Sequence, residues 1–372
     1  MDLLDIVQNK VEEGLRISPD EALALMASHD LIRLGKIASM RCRAKNGDLA
    51  YFIVNRHINH TNICVNRCTF CAFSRDEKDP DAYTMDLSEV IQKAEQGAAE
   101  GATEFHIVGG LHPHLTLDYY LDLLSTLRQR FPHIHIQAFT AVEIDYLSRI
   151  TGLPIGDLLR ELKQAGLGSL PGGGAEIFDP RVRQSICPEK ITGEKWLEIM
   201  EAVHAAGLKS NATMLYGHVE DTRARIDHMS RLRDLQDRTG GFQAFIPLAF
   251  HPENTRIPQT GMTTGFDDLK TMAVSRIFLD NFSHIKAFWI MLGEKIAQVS
   301  LLFGVDDIDG TVVEEKITHA AGAMTSEALS REALVRMIQK AGKVPVERDT
   351  LYREIRRYDK NQELNIKNQN DN

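Results

Sequence analysis

The sequence predicts an α/β fold: a (β/α)8 TIM-type barrel preceded by a helical extension over residues 1–50 and followed by C-terminal helices. Three observations carry that expectation. From residue 51 to about 325, short apolar or β-branched runs alternate with amphipathic segments of roughly 10 to 18 residues, the rhythm of a βα repeat. Eight such runs can be counted, enough to close a barrel. Glycines at 101, 166, 207 and 241 punctuate the passage from helix to the following strand.

Taken in order, the first fifty residues read as helices. Ser18-Pro19-Asp20-Glu21 offers a Ser N-cap, Pro at the first helical position and Glu at the third, ahead of the apolar Ala22 to Met26. Strands are expected at Tyr51 to Asn55 running toward Ile63, Glu104 to Val108, His133 to Phe139 and Gly168 to Leu170. The remaining four are expected at Ser210 to Leu215, Phe242 to Leu248, His284 to Ile290 and Val305 to Ile308. Between them lie helix candidates such as Asp86 to Gly101, which opens on Asp and Ser and closes on Gly. No interdomain linker interrupts the repeat. Beyond Ser326 the pattern turns helical, and from Val346 it grades into a charged and amide-rich tail, 367–372, expected to be disordered.

Composition narrows the function. With 43% hydrophobic and 26% charged residues in 372, the chain has the make-up of an ordinary globular protein. Its longest apolar run, Ala244 to Phe250, is far short of the ~20 residues of a membrane helix. A net charge of −9 and a pI near 5.9 argue against a nucleic-acid partner and for a small-molecule substrate. The acidic start, Met1-Asp2-Leu3-Leu4-Asp5, lacks an export pattern, so a cytoplasmic setting is expected. Of five cysteines, three fall within eight residues, a poor disulfide framework and a good metal-site pattern.

Those three form Cys64-Val65-Asn66-Arg67-Cys68-Thr69-Phe70-Cys71, a CxxxCxxC loop just beyond the first barrel strand. Three thiolates can wrap one corner of a cubic iron-sulfur cluster, which normally takes four cysteines. With no fourth nearby, one iron would stay open to a non-protein ligand. A zinc site completed by Cys42, Cys187, His57 or His60 is the alternative.

The spacing, with an aromatic residue before the last cysteine as Phe70 is here, resembles the radical S-adenosylmethionine (radical SAM) superfamily. The resemblance implies a [4Fe-4S] cluster on Cys64, Cys68 and Cys71 and S-adenosylmethionine as co-substrate on the open iron. It also implies an external electron donor such as flavodoxin or ferredoxin. Gly109-Gly110, after the second strand, would correspond to the superfamily's glycine-rich motif, whose carbonyls receive the methionyl ammonium.

Further site residues should follow the other strands, since barrel catalysis collects at their carboxyl ends. Glu176, after Pro171-Gly172-Gly173-Gly174-Ala175, can accept hydrogen bonds from ribose hydroxyls or an ammonium, and Arg181 or Arg183 can pair with the methionine carboxylate. His112, His218 and His251 are acid-base candidates at the rim. Arg256, His112, His251 and Thr311 are candidates for holding substrate carboxylates.

Longer stretches resemble one group within the superfamily: Ser169 to Glu176, Gly240 to Pro247 and Gly310 to Glu315 look like the futalosine-pathway menaquinone enzymes and the related deazaflavin-cofactor synthases. Ile246-Pro247-Leu248-Ala249-Phe250-His251-Pro252 and Asp309 to Glu315 look more like the aminofutalosine synthases than the sister cyclases, which act on dehypoxanthine futalosine. That resemblance implies addition of a 5′-deoxyadenosyl radical to the enol ether of 3-[(1-carboxyvinyl)oxy]benzoate, giving 6-amino-6-deoxyfutalosine, methionine and bicarbonate.

Overall fold

A computed structural model describes residues 2–257 and 261–359; the expected polar tail, 367–372, lies outside the described residues. The N-terminal extension folds as helices Leu3–Glu12, Pro19–Met26 and Leu31–Asn46. The capping box forms as its residues require: the Ser18 hydroxyl accepts from the Glu21 N–H at 3.2 Å while the Glu21 carboxylate accepts from the Ser18 N–H at 2.7 Å. Arg16 then ties this layer to the later helices through Asp237 and Asp280 at 2.5 and 2.8 Å.

The strands are β1 (Leu49–Ile53), β2 (Asn55–Ile58), β3 (Glu104–Ile107), β4 (His135–Ala138), β5 (Ser169–Leu170), β6 (Lys209–Tyr216), β7 (Phe242–Ala249), β8 (His284–Ile285), β9 (Asp307–Gly310), β10 (Val344–Arg348) and β11 (Glu354–Arg357). β2 to β8 form a seven-stranded, all-parallel sheet in sequence order, each neighbour joined by a helical crossover. The sheet curls. Lys286 after β8 bridges Asp307 of β9, and Val313 just past β9 bridges Arg56 of β2, so the eighth expected strand stands between the two edges. Thr311 fastens that seam, its hydroxyl donating to the Asn55 carbonyl at 2.9 Å and accepting the Asn55 N–H at 3.1 Å.

Helices cover the sheet by burying one stripe each. Leu117–Arg130 buries Tyr120, Leu123, Leu124 and Leu127, and Ile155–Ala165 buries Leu158, Leu159 and Leu162, at the spacing of a single helix face. Each such side chain contributes about 1.5–3 kcal/mol on burial. Among the described residues no helix is long and apolar enough to cross a membrane.

The structure corrects the expected elements in four places. The run Tyr51 to Asn55, expected to open the barrel, falls mostly in β1, which pairs with β9 and β10 in a separate four-stranded sheet, so that β2 is the first strand of the curled sheet. The run His284 to Ile290 is strand only at His284–Ile285; the chain then turns into a helical turn, Trp289–Leu292, anchored by the Trp289 indole donating to the Gly310 carbonyl at 2.8 Å. Beyond residue 326 the chain is not simply helical: after Arg331–Lys340 it forms β10, parallel to β1, and β11, antiparallel to β10. The charges that make Glu347 and Arg348 look like a tail are buried as pairs with Arg331 and Asp307, at 2.9 and 2.6 Å. Gly240, not Gly241, is the left-handed cap, while a Cβ at Gly241 would meet the His204 ring at 2.0 Å.

Candidate active site

At the carboxyl ends of the strands the curled sheet encloses a cavity of about 330 Å³. Cys64, Cys68, Phe70 and Cys71 line its mouth. Their loop is held by backbone bonds to distant segments: Cys64 N–H to Arg75, Val65 N–H to Leu111 and Thr69 N–H to Ile186, at 3.1, 3.0 and 2.8 Å. Arg256 holds it from outside, the guanidinium donating to the carbonyls of Arg67 and Cys68 at 2.5 and 3.3 Å. Burial pushes the Cys68 thiol up to about 12 and raises Cys64 as well, so a metal taking these sulfurs must displace protons.

Gly109 and Gly110 line the cavity beside the cysteines. Neither has the positive φ of a turn glycine; what demands them is proximity. A Cβ at Gly109 would meet the His60 ring at 2.5 Å, and one at Gly110 would stand 2.2 Å from the Ile63 carbonyl oxygen.

Glu176 lines the cavity at φ +47°, with Lys190 donating to it at 2.6 Å and sitting 4.9 Å over the Phe70 ring. Burial works against charge on Lys190, but the Cys68 sulfur and the Glu176 carboxylate outweigh it and hold the ammonium above its ordinary value. Arg183 does not line the cavity. Its guanidinium donates to the carbonyls of Ala175, Ile177 and Ile191 at 2.6, 3.2 and 3.1 Å, which fixes the loop that presents Glu176.

Of the other expected site residues, His251 reaches the cavity, its Nε2 paired with the Met291 carbonyl at 2.8 Å. His112, His218, Arg256 and Thr311 are not among the lining residues. His112 caps a turn, its Nδ1 accepting the N–H groups of His114 and Leu115 at 3.0 and 3.2 Å. His218 is occupied at both nitrogens, by the Val219 N–H at 2.7 Å and the Leu215 carbonyl at 3.1 Å.

The structure adds to the cavity residues that the sequence does not assign to it, His57 figuring in the sequence only as an alternative zinc ligand. Glu143, which reads as the capping-box partner of Thr140, accepts the Gly109 N–H at 3.2 Å, and burial pushes its carboxyl up to about 7. His57 and His106, register partners on β2 and β3, stack at 4.4 Å on the cavity floor. Asp309, paired with Lys286 at 3.3 Å, and Glu315 complete the polar lining there.

The donor set suits a cluster. Tetrahedral zinc, with Zn–S bonds of about 2.3 Å, needs its ligands drawn together around one point. Among the described residues no three or more of His, Cys, Asp or Glu gather in that way. Cys42 lies 3.9 Å from the Val305 carbonyl, and Cys187 packs in the apolar group of Cys68, Ile186 and Leu215 without lining the cavity. Three cysteines of one loop that line one cavity fit a cubic cluster, whose thiolates bind separate irons.

Fold and site together define a radical SAM enzyme. Residues 58–232 match the model of the radical SAM superfamily, and residues 239–361 match the CofH/MqnC C-terminal region. The chain is 46% identical to the aminodeoxyfutalosine synthase of Thermus thermophilus, over 95% of this chain and 96% of that one. It is 44% identical to a 5-amino-6-(D-ribitylamino)uracil–L-tyrosine 4-hydroxyphenyl transferase of Methanopyrus kandleri over 84% and 86% of the two chains. Against the cyclic dehypoxanthine futalosine synthase of Streptomyces coelicolor it is 37% identical over 95% and 89%. The crystal structure of methylornithine synthase shares the fold, with a TM-score of 0.74 at 15% identity over 92% of this chain and 97% of that one. The chain belongs to the radical SAM superfamily and, within it, to the family of the aminodeoxyfutalosine synthases.

Proposed function

We propose that this enzyme joins the 5′-deoxyadenosyl group of S-adenosylmethionine to 3-[(1-carboxyvinyl)oxy]benzoate, with uptake of one water, releasing methionine and bicarbonate and forming 6-amino-6-deoxyfutalosine. The observation that carries the reading is the 46% identity over 95% of the chain to a synthase of that kind, beside 44% over 84% to the hydroxyphenyl transferase and 37% over 95% to the cyclic dehypoxanthine futalosine synthase. A bound [4Fe-4S] cluster on Cys64, Cys68 and Cys71, fed by a flavodoxin or ferredoxin in a cytoplasmic setting, would supply the electron that opens the sulfonium.

The chain's own residues do the rest. Gly109 and Gly110 bring bare backbone up to the cysteine loop, leaving room for the amino acid end of S-adenosylmethionine. Glu176, fixed by Lys190 and by the Arg183-bound loop, faces the cavity as an acceptor for ribose hydroxyls. Leu215, Ile246, Leu248 and Phe250 wall the space, so a carbon radical formed there meets little water. The enol-ether carbon lying toward the mouth would take the new C–C bond, and the product would keep both the adenosyl group and the aryl ring.

The test is anaerobic incubation of the reduced enzyme with S-adenosylmethionine and the enol-ether benzoate, followed by mass spectrometry. An adenosyl adduct of the aminofutalosine mass is expected. Free 5′-deoxyadenosine without that adduct contradicts the reading and favours a hydrogen-abstracting relative.

A further inference from the structure

One ring on the inner face of the sheet is steered from one side and open on the other. His106, on β3, lines the cavity with its side chain 20% exposed. Its Nε2 makes no hydrogen bond among the described residues and, unlike the Nε2 of His57, is not shut off from solvent. An unpaired nitrogen that opens on a cavity is a place for a ligand atom or an ordered water. Glu104 lies on the same face of β3, toward its amino end, with Oε1 3.7 Å from the His106 Nδ1. That carboxylate is buried and does not itself line the cavity. Burial opposes its charge, but His106, Lys286 and Arg348 outweigh burial and keep it ionised.

The neighbours hold the ring without using it up. His57, its register partner on β2, stacks on it with centroids 4.4 Å apart and planes 16° from parallel. Burial holds His57 well below its ordinary value, so it packs there as a neutral ring. Gln137, the partner on β4, donates to the Ser169 hydroxyl at 3.1 Å instead. A carboxylate facing Nδ1 favours a proton on that nitrogen, and an imidazolium donates from Nε2 as well, so one ring can hold a carboxylate at each side. The acids that line the cavity oppose a second anion only weakly. Burial pushes Asp309 and Glu143 above the ordinary carboxylate range, and Glu176 and Glu315 are paired with Lys190 and His319.

We infer that His106 binds the ring carboxylate of the aromatic acid through its Nε2–H, with Glu104 as the positioning residue behind it. This rests on the synthase reading, which supplies a substrate whose ring carboxylate is separated from the reacting double bond by the aryl ring. His106 precedes Gly109 on one run of chain, about 10 Å along it at ~3.3 Å per extended residue. A ring carboxylate held at His106 therefore leaves the enol ether on the side of Gly109 and the cysteine loop.

The test uses the cluster-loaded, unreduced enzyme, so that binding is read without turnover. Titration calorimetry compares the enol-ether benzoate with the analogue in which hydrogen replaces the ring carboxylate, on wild type, His106→Phe, His106→Gln and Glu104→Gln. Iron and sulfide content verify that each protein is loaded. Wild type is expected to bind the analogue roughly tenfold to a hundredfold more weakly, the loss of one hydrogen bond to a charged group. His106→Phe should weaken the benzoate by a similar factor and leave the analogue unchanged, while His106→Gln, which keeps an N–H, falls between. Glu104→Gln should weaken the benzoate severalfold and spare the analogue; an equal loss on both would reduce Glu104 to a structural residue. Benzoate affinity unchanged in His106→Phe, or an equal loss on both ligands, overturns the assignment. So does a wild type that binds the two ligands equally, a result that needs no variant to fold. Should His106→Phe not load, an equal effect of His106→Gln on both ligands overturns it too. Wild type that forms no adduct on reduction overturns the synthase reading instead, and is seen before any variant is made.

Discussion

Gly110 lies against the backbone of the cysteine loop so closely that a Cβ there would stand 2.2 Å from the Ile63 carbonyl oxygen and 3.1 Å from the Cys64 Cβ. The end of β3 and the cysteine loop are therefore one packed unit. Gly110→Ala must push the loop away, at a cost of about 1–3 kcal/mol for overpacking. Iron and sulfide per chain are expected to fall well below wild type, with the thermal unfolding midpoint lowered by several degrees. Full cluster loading in Gly110→Ala would show that the contact does not set the loop.

Lys190 and Glu176 form a buried ion pair at 2.6 Å that also faces the cavity. Removing one partner strands the other charge, which costs about 3–5 kcal/mol at buried pairs. Lys190→Met is accordingly expected to weaken S-adenosylmethionine binding by more than tenfold as well as stability, with titration calorimetry and denaturant melts as the two readouts. An unaltered dissociation constant would remove Glu176 from the binding surface.

Arg183 reaches the carbonyls of Ala175, Ile177 and Ile191 at once, through a planar fork that lysine lacks. Arg183→Lys is expected to behave much like Arg183→Ala, each losing about 2–4 kcal/mol in urea melts, since carbonyls buried under the guanidinium are left bare. Wild-type stability in Arg183→Lys would mean that a single charge suffices.

His319 carries a pH dependence. Its hydrogen bond to Glu315, a cavity residue, raises the imidazole from 6.5 to about 9. The folded value lies above the unfolded one, so the stability it contributes is fully present below pH 6.5 and is lost as pH rises through 9. The unfolding midpoint should fall across that window, and His319→Gln should flatten the slope. Equal slopes in the two proteins would remove His319 from the account.

What the sequence shows and what it hides follow from how local each signal is. The CxxxCxxC loop, the capping box at Ser18, and β6 and β7 are written in adjacent residues, and all appear where the spacing puts them. β10 was hidden because Pro345 and the charges of Glu347 and Arg348 break an apolar alternation, and their partners lie in distant segments. The site divides in the same way. Glycine runs point at Gly109, Gly110 and Glu176, whereas Glu143 reads as a helix cap and Lys190 sits in a loop with no motif. The His57–His106 stack exists only once β2 and β3 are in register. Arg183, Arg256 and Thr311 are polar residues near strand ends that brace backbone, a role no spacing distinguishes from ligand binding.

The central claim is that the 5′ carbon of S-adenosylmethionine ends in a new carbon-carbon bond. It is tested most directly with S-adenosylmethionine carrying ¹³C at that carbon and the enol-ether benzoate, the products being read by NMR. The account predicts a labelled carbon coupled to a substrate-derived carbon in the isolated adduct. Label recovered only as the methyl of 5′-deoxyadenosine would contradict it.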